Sequence, residues 1–316
     1  MNSLVFMFSG QGSQYYHMGK ELFENHHIFR KWMLKLDAIA YGICGKSILS
    51  HMYDEERKRS DPFKRTFYTH PAIFMVEYAL ARVLLESGIE PDYLLGTSMG
   101  EFASAAIAEV MTCEESLHAL IKQADALETY CQEGGMLAIL HDPLLYYEMP
   151  LIYENSELVS INFHSHFIIS GQVSCLRAIE SYLRENQINW QRLPVTQAFH
   201  SPLIDPAADV YIDFLNQRSF SPPQITFISC TYASIPKRIN NVYFWEVIRK
   251  PIAFRETFKK LEDTQNYIYI DLGPSGTLAN FVKYNLSDRS RSQSMTILSP
   301  FGRDLKNLRQ IKCLLN

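Results

Sequence analysis

Ser98 stands at the centre of Gly96-Thr97-Ser98-Met99-Gly100, a G-x-S-x-G pentapeptide. The apolar run Tyr93 to Leu95 enters it and the small-residue pattern Phe102-Ala103-Ser104-Ala105-Ala106 leaves it. A strand that passes through two glycines into a helix turns sharply and leaves the serine exposed on a strained corner. At a helix N-terminus, free N–H groups and the helix dipole stabilise a developing oxyanion. The same five residues also suit an N-capping serine on a tightly packed turn, and the pentapeptide alone does not choose. A neutral serine is a weak nucleophile and needs a base within hydrogen-bond reach. The chain has 10 histidines, and spacing singles out none of them. His26-His27 and His51 lie in polar surroundings and read as solvated surface.

The N-terminus narrows the choice. Phe6-Met7-Phe8-Ser9-Gly10-Gln11-Gly12-Ser13-Gln14 is a short apolar strand running into a Gly/Gln/Ser loop. Further along come Gln197-Ala198-Phe199-His200-Ser201-Pro202, Tyr243-Phe244-Trp245 with Lys250-Pro251-Ile252-Ala253-Phe254, and Asp271-Leu272-Gly273-Pro274-Ser275-Gly276. With these motifs in this order, the chain resembles the acyl-carrier-protein acyltransferases, the malonyl-CoA transacylase family, over roughly residues 3 to 300. The resemblance implies that Ser98 is the nucleophile and His200 the base, held by a backbone carbonyl. It implies an oxyanion hole from the backbone N–H groups of Gln11 and Met99, each such donor contributing about 3 to 4 kcal/mol to the transition state. Asn162, in Ser160-Ile161-Asn162-Phe163, matches a family Asn near the active site, with capping of a strand end as the alternative role. His70, before Pro71, occupies a position where the family often has Gln and is expected to line the cleft. His164 and His166 fall where the family reaches into its acyl pocket.

Three positions depart from or qualify that pattern. Malonyl-transferring members carry an arginine twenty-five residues after the nucleophile; here that position is Gln123. Glutamine cannot make a bidentate ionic pair, and leaving a carboxylate buried without its cation costs about 3 to 5 kcal/mol. The neighbouring Lys122 points about 100° away on a helix. No arginine lies between Arg82 and Arg177 to substitute. Thr97 replaces the histidine before the nucleophile, whereas Phe199 keeps the bulky residue beside the base. Gln123 and Thr97, with the run Gly273 to Asn285, resemble the stand-alone acyl hydrolases of trans-acyltransferase polyketide synthases. The expected function is hydrolysis of acyl thioesters on acyl carrier protein through a Ser–His acyl-enzyme. The alternatives are transfer of malonyl or a neutral acyl group from CoA to carrier protein, or a silent protein that only docks carrier domains.

The elements that must position these residues follow an α/β order. Val5 to Phe8, Ile225 to Ser229 and Tyr267 to Asp271 read as strands; Pro71 to Glu86, Glu114 to Cys131, Pro206 to Asn216 and Trp245 to Leu261 read as helices. Lys46 to Thr66 is polar without a clear period and reads as a surface excursion, and Arg289-Ser290-Arg291-Ser292 as a solvated loop. Past Gly134-Gly135 the texture changes: Met136 to Leu140, Leu158 to Phe163, His166 to Gly171 and Asn189 to Leu193 read as strands, with a helix over Ser174 to Asn186. This small α+β unit sits where the family carries its ferredoxin-like subdomain. The expected architecture is α/β: a large α/β-hydrolase-like domain with a parallel-sheet core, residues 1–133 and 194–316, and an inserted ferredoxin-like subdomain, 134–193.

Bulk properties agree with an enzyme of ordinary globular composition. The chain has 316 residues, 47% hydrophobic and 20% charged, enough for one large domain plus a small one. A net charge of −4 argues against a nucleic-acid or anionic-membrane surface. No run approaches the ~18 apolar residues of a membrane span, and the first residues lack the basic n-region of a signal peptide. Six cysteines without C-x-x-C spacing suggest reduced, mostly buried thiols in a cytoplasmic protein. No metal or cofactor is expected. The expected partner is a carrier protein bearing a phosphopantetheine-bound acyl group, with acyl-CoA as the other donor, and the family is mostly monomeric.

Overall fold

A computed structural model describes residues 2–315. Five strands form a wholly parallel sheet: β1 (Ser3–Phe8), β2 (Tyr93–Gly96), β7 (Thr226–Ser229), β8 (Tyr267–Asp271) and β9 (Gln293–Thr296), in the order β7-β2-β1-β8-β9. A second, antiparallel sheet holds β3 (Gly134–Leu140), β4 (Glu157–Phe163), β5 (His166–Gln172) and β6 (Asn189–Arg192), in the order β4-β5-β3-β6. Its β-α-β-β-α-β succession is the ferredoxin-like arrangement. The central strands β1, β2 and β8 read as near-continuous apolar runs because helices cover both faces. Leu4, Phe6 and Phe8 point into one core, and Val5 and Met7 into another on the opposite face. A third core belongs to the small sheet, built from Leu137, Ile139, Phe167, Ile169 and the apolar stripe Leu176, Ile179, Leu183 of the helix Val173–Glu185. No helix among the described residues is long and apolar enough to cross a membrane.

Several expectations are corrected. The helical pattern Trp245 to Leu261 is two helices, Asn241–Arg249 and Phe254–Glu262. Pro251 bars the helical conformation at Lys250, which is extended at φ −81°, ψ 154°. Lys46 to Thr66 is not simply a surface excursion. The short helix Ile48–Met52 buries Ile48, Leu49 and Met52, and Phe63 joins the same core. Pro206 to Asn216 begins as a 3-10 helix, Pro202–Ala207, before the α-helix Ala208–Asn216. All six cysteines are free, but only Cys230 is fully buried and Cys313 is exposed. His51 is half-buried with its ring 3.7 Å from that of Tyr68, and His26 accepts the Phe29 N–H at the start of a helix. In the Arg289 to Ser292 stretch, Ser290 and Ser292 both donate to Glu262 and Ser292 is buried.

Candidate active site

The C-terminal ends of β1 and β2 lie side by side in register, Phe8 opposite Gly96. Beyond them the Thr97 N–H donates to the Phe8 carbonyl at 2.9 Å, which carries the pairing into the turn. Ser98 follows at φ 53°, in the left-handed region. The strain expected of the pentapeptide therefore falls on the serine itself, at a cost of about 1 to 3 kcal/mol. Gly96 and Gly100 serve a different purpose, close approach. A Cβ on Gly96 would stand 2.5 Å from Glu101 Cα, and one on Gly100 would stand 2.3 Å from the Phe8 carbonyl oxygen. Gly10 is the third such position: a Cβ there would lie 2.9 Å from Ser98 Cβ.

His200 meets this corner from 102 residues away. Its Nε2 lies 2.8 Å from Ser98 Oγ and its Nδ1 2.6 Å from the Lys250 carbonyl oxygen. A carbonyl only accepts, so the proton sits on Nδ1 and the lone pair of Nε2 faces the serine hydroxyl. Burial drives the imidazole pKa down to about 4, although the Lys250 carbonyl pulls the other way. The ring is consequently neutral at physiological pH. His200 also has a left-handed backbone, φ 60°, fixed by its N–H donating to Ile248 O at 2.9 Å. The pre-proline geometry of Lys250 is what turns its carbonyl out of helix bonding and toward the ring.

The Gly10-Gln11-Gly12 loop is tied down from several sides. Buried Glu77 accepts the Ser9 N–H at 2.6 Å and the Ser9 hydroxyl at 2.9 Å. Gln11 Nε2 donates to Thr69 at 2.7 Å. Gln14 donates to the Phe63 and Pro194 carbonyls and accepts the Gly12 N–H. Among the described residues, neither the Gln11 nor the Met99 backbone N–H is donated within the protein. Met99 directly precedes the helix Gly100–Ile107. Both donors are thus available beside Ser98.

A cavity of about 210 Å³ opens beside Ser98 and His200, and both sheets contribute to its wall. Thr97, Phe199 and Asn162 line it, as do Gln11, Met136, Ile252, Phe254 and Phe281. Among the described residues, no charged side chain is on the wall. Asn162 is buried, accepts the Ser160 hydroxyl at 2.7 Å and reaches His166 Nδ1 at 3.0 Å. Two expected lining residues are placed elsewhere. His70 is fully buried in the helix Thr66–Leu85, its ring 5.5 Å from that of Phe199, and does not reach the wall. Gln123 is fully buried in the helix Cys113–Tyr130 beside the Tyr211 hydroxyl, again off the wall. Lys122, its neighbour, is solvent-exposed, as its helical phase requires.

The model of the acyl transferase domain matches residues 5–316. The chain belongs to the acyl transferase family. Two Bacillus proteins are close relatives. The "polyketide biosynthesis acyltransferase homolog PksD" of Bacillus subtilis is 48% identical over 98% of this chain and 95% of its own length. The homolog BaeD of Bacillus velezensis is 47% identical over the same shares. Among solved structures, a loading acyltransferase from the avermectin modular polyketide synthase superposes with a TM-score of 0.90 at 20% identity, covering 99% of this chain and all of that one. That likeness establishes the fold, including the ferredoxin-like unit.

Sequence reasoning assigned no role to Gly10, whose missing side chain lets the loop touch Ser98, and did not say that the carbonyl orienting the His200 ring is that of Lys250. The dipeptide Lys250-Pro251 carried a signal for the second, since a residue before proline is extended and ends a helix. Nothing in the sequence alone pointed to Ile252, Phe254 and Phe281 as cavity wall.

Proposed function

We propose that this family member removes acyl groups from carrier-protein thioesters through a Ser98 acyl-enzyme, in polyketide biosynthesis. The observation that carries the reading is a Ser98–His200 pair poised for proton transfer beside a cavity wall free of charge. His200 Nε2 takes the hydroxyl proton as Ser98 Oγ attacks the thioester carbonyl. The Gln11 and Met99 N–H groups hold the oxyanion while the C–S bond breaks, and the imidazolium returns its proton to the pantetheine thiolate. In the second half water attacks the Ser98 ester and gives its proton to His200. The C–Oγ bond then breaks, and that proton restores the serine hydroxyl. Thr97, Phe199 and Asn162 shape the acyl site, with His70 packed beneath Phe199 and Gln123 where malonyl-specific members have their arginine.

A carboxylate entering this cavity would lose water without gaining a cation, at about 3 to 5 kcal/mol. That disfavours malonyl and leaves neutral acyl groups. The absence of a guanidinium is also what supports hydrolysis over dedicated malonyl loading. Transfer of a neutral acyl group from CoA is the second reading, favoured by the relatives' description as acyltransferase homologs. The chain is read as a cytoplasmic monomer, with residues 134–193 as the inserted subdomain and 1–133 plus 194–316 as the catalytic one.

Incubation with acetyl- and malonyl-loaded carrier protein, followed by mass spectrometry, tests this. Hydrolysis gives free carrier thiol and acetate from the acetyl form with no added acceptor. Turnover only when CoA or a second carrier thiol is supplied replaces hydrolysis with transfer. Faster processing of the malonyl form would overturn the assignment to neutral acyl groups. Ser98→Ala is expected to abolish both acylation and release.

A further inference from the structure

We infer that His166 presents a neutral N–H donor to the acyl cavity and selects uncharged acyl chains that carry a hydrogen-bond acceptor oxygen. This deepens the reading that acyl groups are carried on Ser98. The chain of bonds behind it starts at Ser160, whose hydroxyl donates to Asn162 Oδ1 at 2.7 Å. That bond turns the Asn162 amide so that Nδ2 faces His166 Nδ1, 3.0 Å away. An amide nitrogen only donates, so Nδ1 is the acceptor nitrogen of the ring and the proton resides on Nε2. His166 lies on the cavity wall, and among the described residues its Nε2 has no hydrogen-bond partner.

The ring is held in place by its neighbours. Phe163 stacks on it with centroids 5.0 Å apart, and Phe281, itself on the wall, lies 5.3 Å away. Burial pushes its pKa down to about 4, so it stays neutral through the physiological range and attracts no carboxylate. Other polar wall residues are already occupied. Ser160 and Asn162 bond each other, Gln11 bonds Thr69, and Ser9 and Ser13 are bound within the loop. Among the described residues, the Gln191 side chain on β6 shares the uncommitted state, and Gln11 Oε1 is also unpartnered but can only accept, so it cannot serve an acceptor oxygen. A fixed polar group in an otherwise apolar site rewards the chain that pairs with it, because a chain that cannot leaves it dehydrated and unpaired.

The test compares hexanoyl, 3-oxohexanoyl and 5-oxohexanoyl thioesters on carrier protein, following acyl-Ser98 formation by intact-protein mass spectrometry. The ratio of wild type to His166→Phe for each substrate cancels the intrinsic reactivity of the thioester. Phenylalanine keeps the aromatic packing, so the variant is expected to fold, and its hexanoyl rate is the reference against which the two oxo chains are compared. At one oxo position the wild-type rate should exceed that of the variant by about five- to tenfold. Asn162→Leu, which frees the other ring nitrogen, should weaken the same preference. Equal ratios for all three chains would overturn the inference, as would loss of the preference in Gln191→Leu but not in His166→Phe. Failure of hexanoyl to acylate wild-type Ser98 would instead overturn the acyl-enzyme reading, and this inference with it.

Discussion

Gln123→Arg is the substitution that most directly probes the choice of acyl group. Gln123 is 0% exposed on the helix Cys113–Tyr130, with the Tyr211 hydroxyl beside it, and among the described residues no salt bridge involves this position. A guanidinium there has no anion to pair with in the free enzyme, and an unpaired buried charge costs about 3 to 5 kcal/mol. Against a total stability of about 5 to 15 kcal/mol the variant should still fold, with a melting temperature lower by about 10 °C. Arginine is longer than glutamine, and a guanidinium that extends from position 123 to the cavity wall would meet a malonyl carboxylate there and recover the same ~3 to 5 kcal/mol. At 1.4 kcal/mol per decade, that raises malonyl over acetyl by roughly a hundred- to a thousandfold in kcat/KM. The assay is acyl-Ser98 formation from malonyl-CoA and acetyl-CoA, with thermal unfolding followed in parallel. Gln123→Met, which adds no charge, is the control and should leave the ratio unchanged. A folded Gln123→Arg protein with the wild-type malonyl-to-acetyl ratio would refute the argument that a missing guanidinium sets the preference.

Other outcomes follow from the geometry. Because buried His200 remains neutral down to about pH 4, kcat/KM should be flat from pH 8 to about 5 and fall tenfold per unit below about 4. An inflection near 6.5 would mean a solvated imidazole. Glu101 is buried, with Ser229, Thr231 and Tyr243 donating to it, and burial raises its carboxyl pKa to about 7. Its native pKa lies above the unfolded value, so its contribution is complete below about pH 4.5 and fades as pH climbs through 7. Glu101→Gln, which mimics the protonated form, should therefore gain stability relative to wild type between pH 5 and 8, up to about 3 kcal/mol by chemical denaturation. Gly100→Ala would set a methyl 2.3 Å from the Phe8 carbonyl, a backbone atom that cannot swing aside. A loss of about 1 to 3 kcal/mol and of Ser98 acylation is expected, measured by melting and mass spectrometry.

Much of the frame was readable because parallel strands covered on both faces must be apolar throughout, as β1 and β2 are. The helix Cys113–Tyr130, read from its spacing, likewise buries Leu117, Leu120, Ile121, Ala124 and Leu127 on one stripe. Edge strand β9 had no comparable signal. Gln293, Ser294, Met295 and Thr296 are exposed or half-buried, and one neighbouring strand suffices to hold them. Lys46 to Thr66 misleads because three apolar side chains of one helical turn are diluted by charged neighbours. Between Trp245 and Leu261 the apolar period runs through Pro251 without a break, yet the proline ring still ends the helix. Periodicity records which face is buried, whereas backbone sterics decide where the helix stops.

That interruption bears directly on the chemistry. Had the helix continued through Lys250, its carbonyl would accept an N–H four residues later and have no lone pair aimed at His200. The break instead sends Ile252 across to the small sheet, where its N–H donates to Val159 O on β4 at 2.7 Å. One short strap thus joins three things: the carbonyl that orients the His200 ring, the Ile252 and Phe254 side chains of the cavity wall, and the edge strand carrying Ser160 and Asn162. The imidazole is fixed from the same segment that lines the cavity. Ser98 and His200 pay about 1 to 3 kcal/mol each for their left-handed backbones. Their 2.8 Å separation persists because Gly10, the Phe8 carbonyl and Ile248 O hold both corners before any substrate arrives. Such preorganisation needs elements from residues 8, 98, 160, 200 and 250 to converge, which is why neither the pentapeptide nor histidine spacing sufficed alone and His200 was singled out through the ordered motifs of the family resemblance.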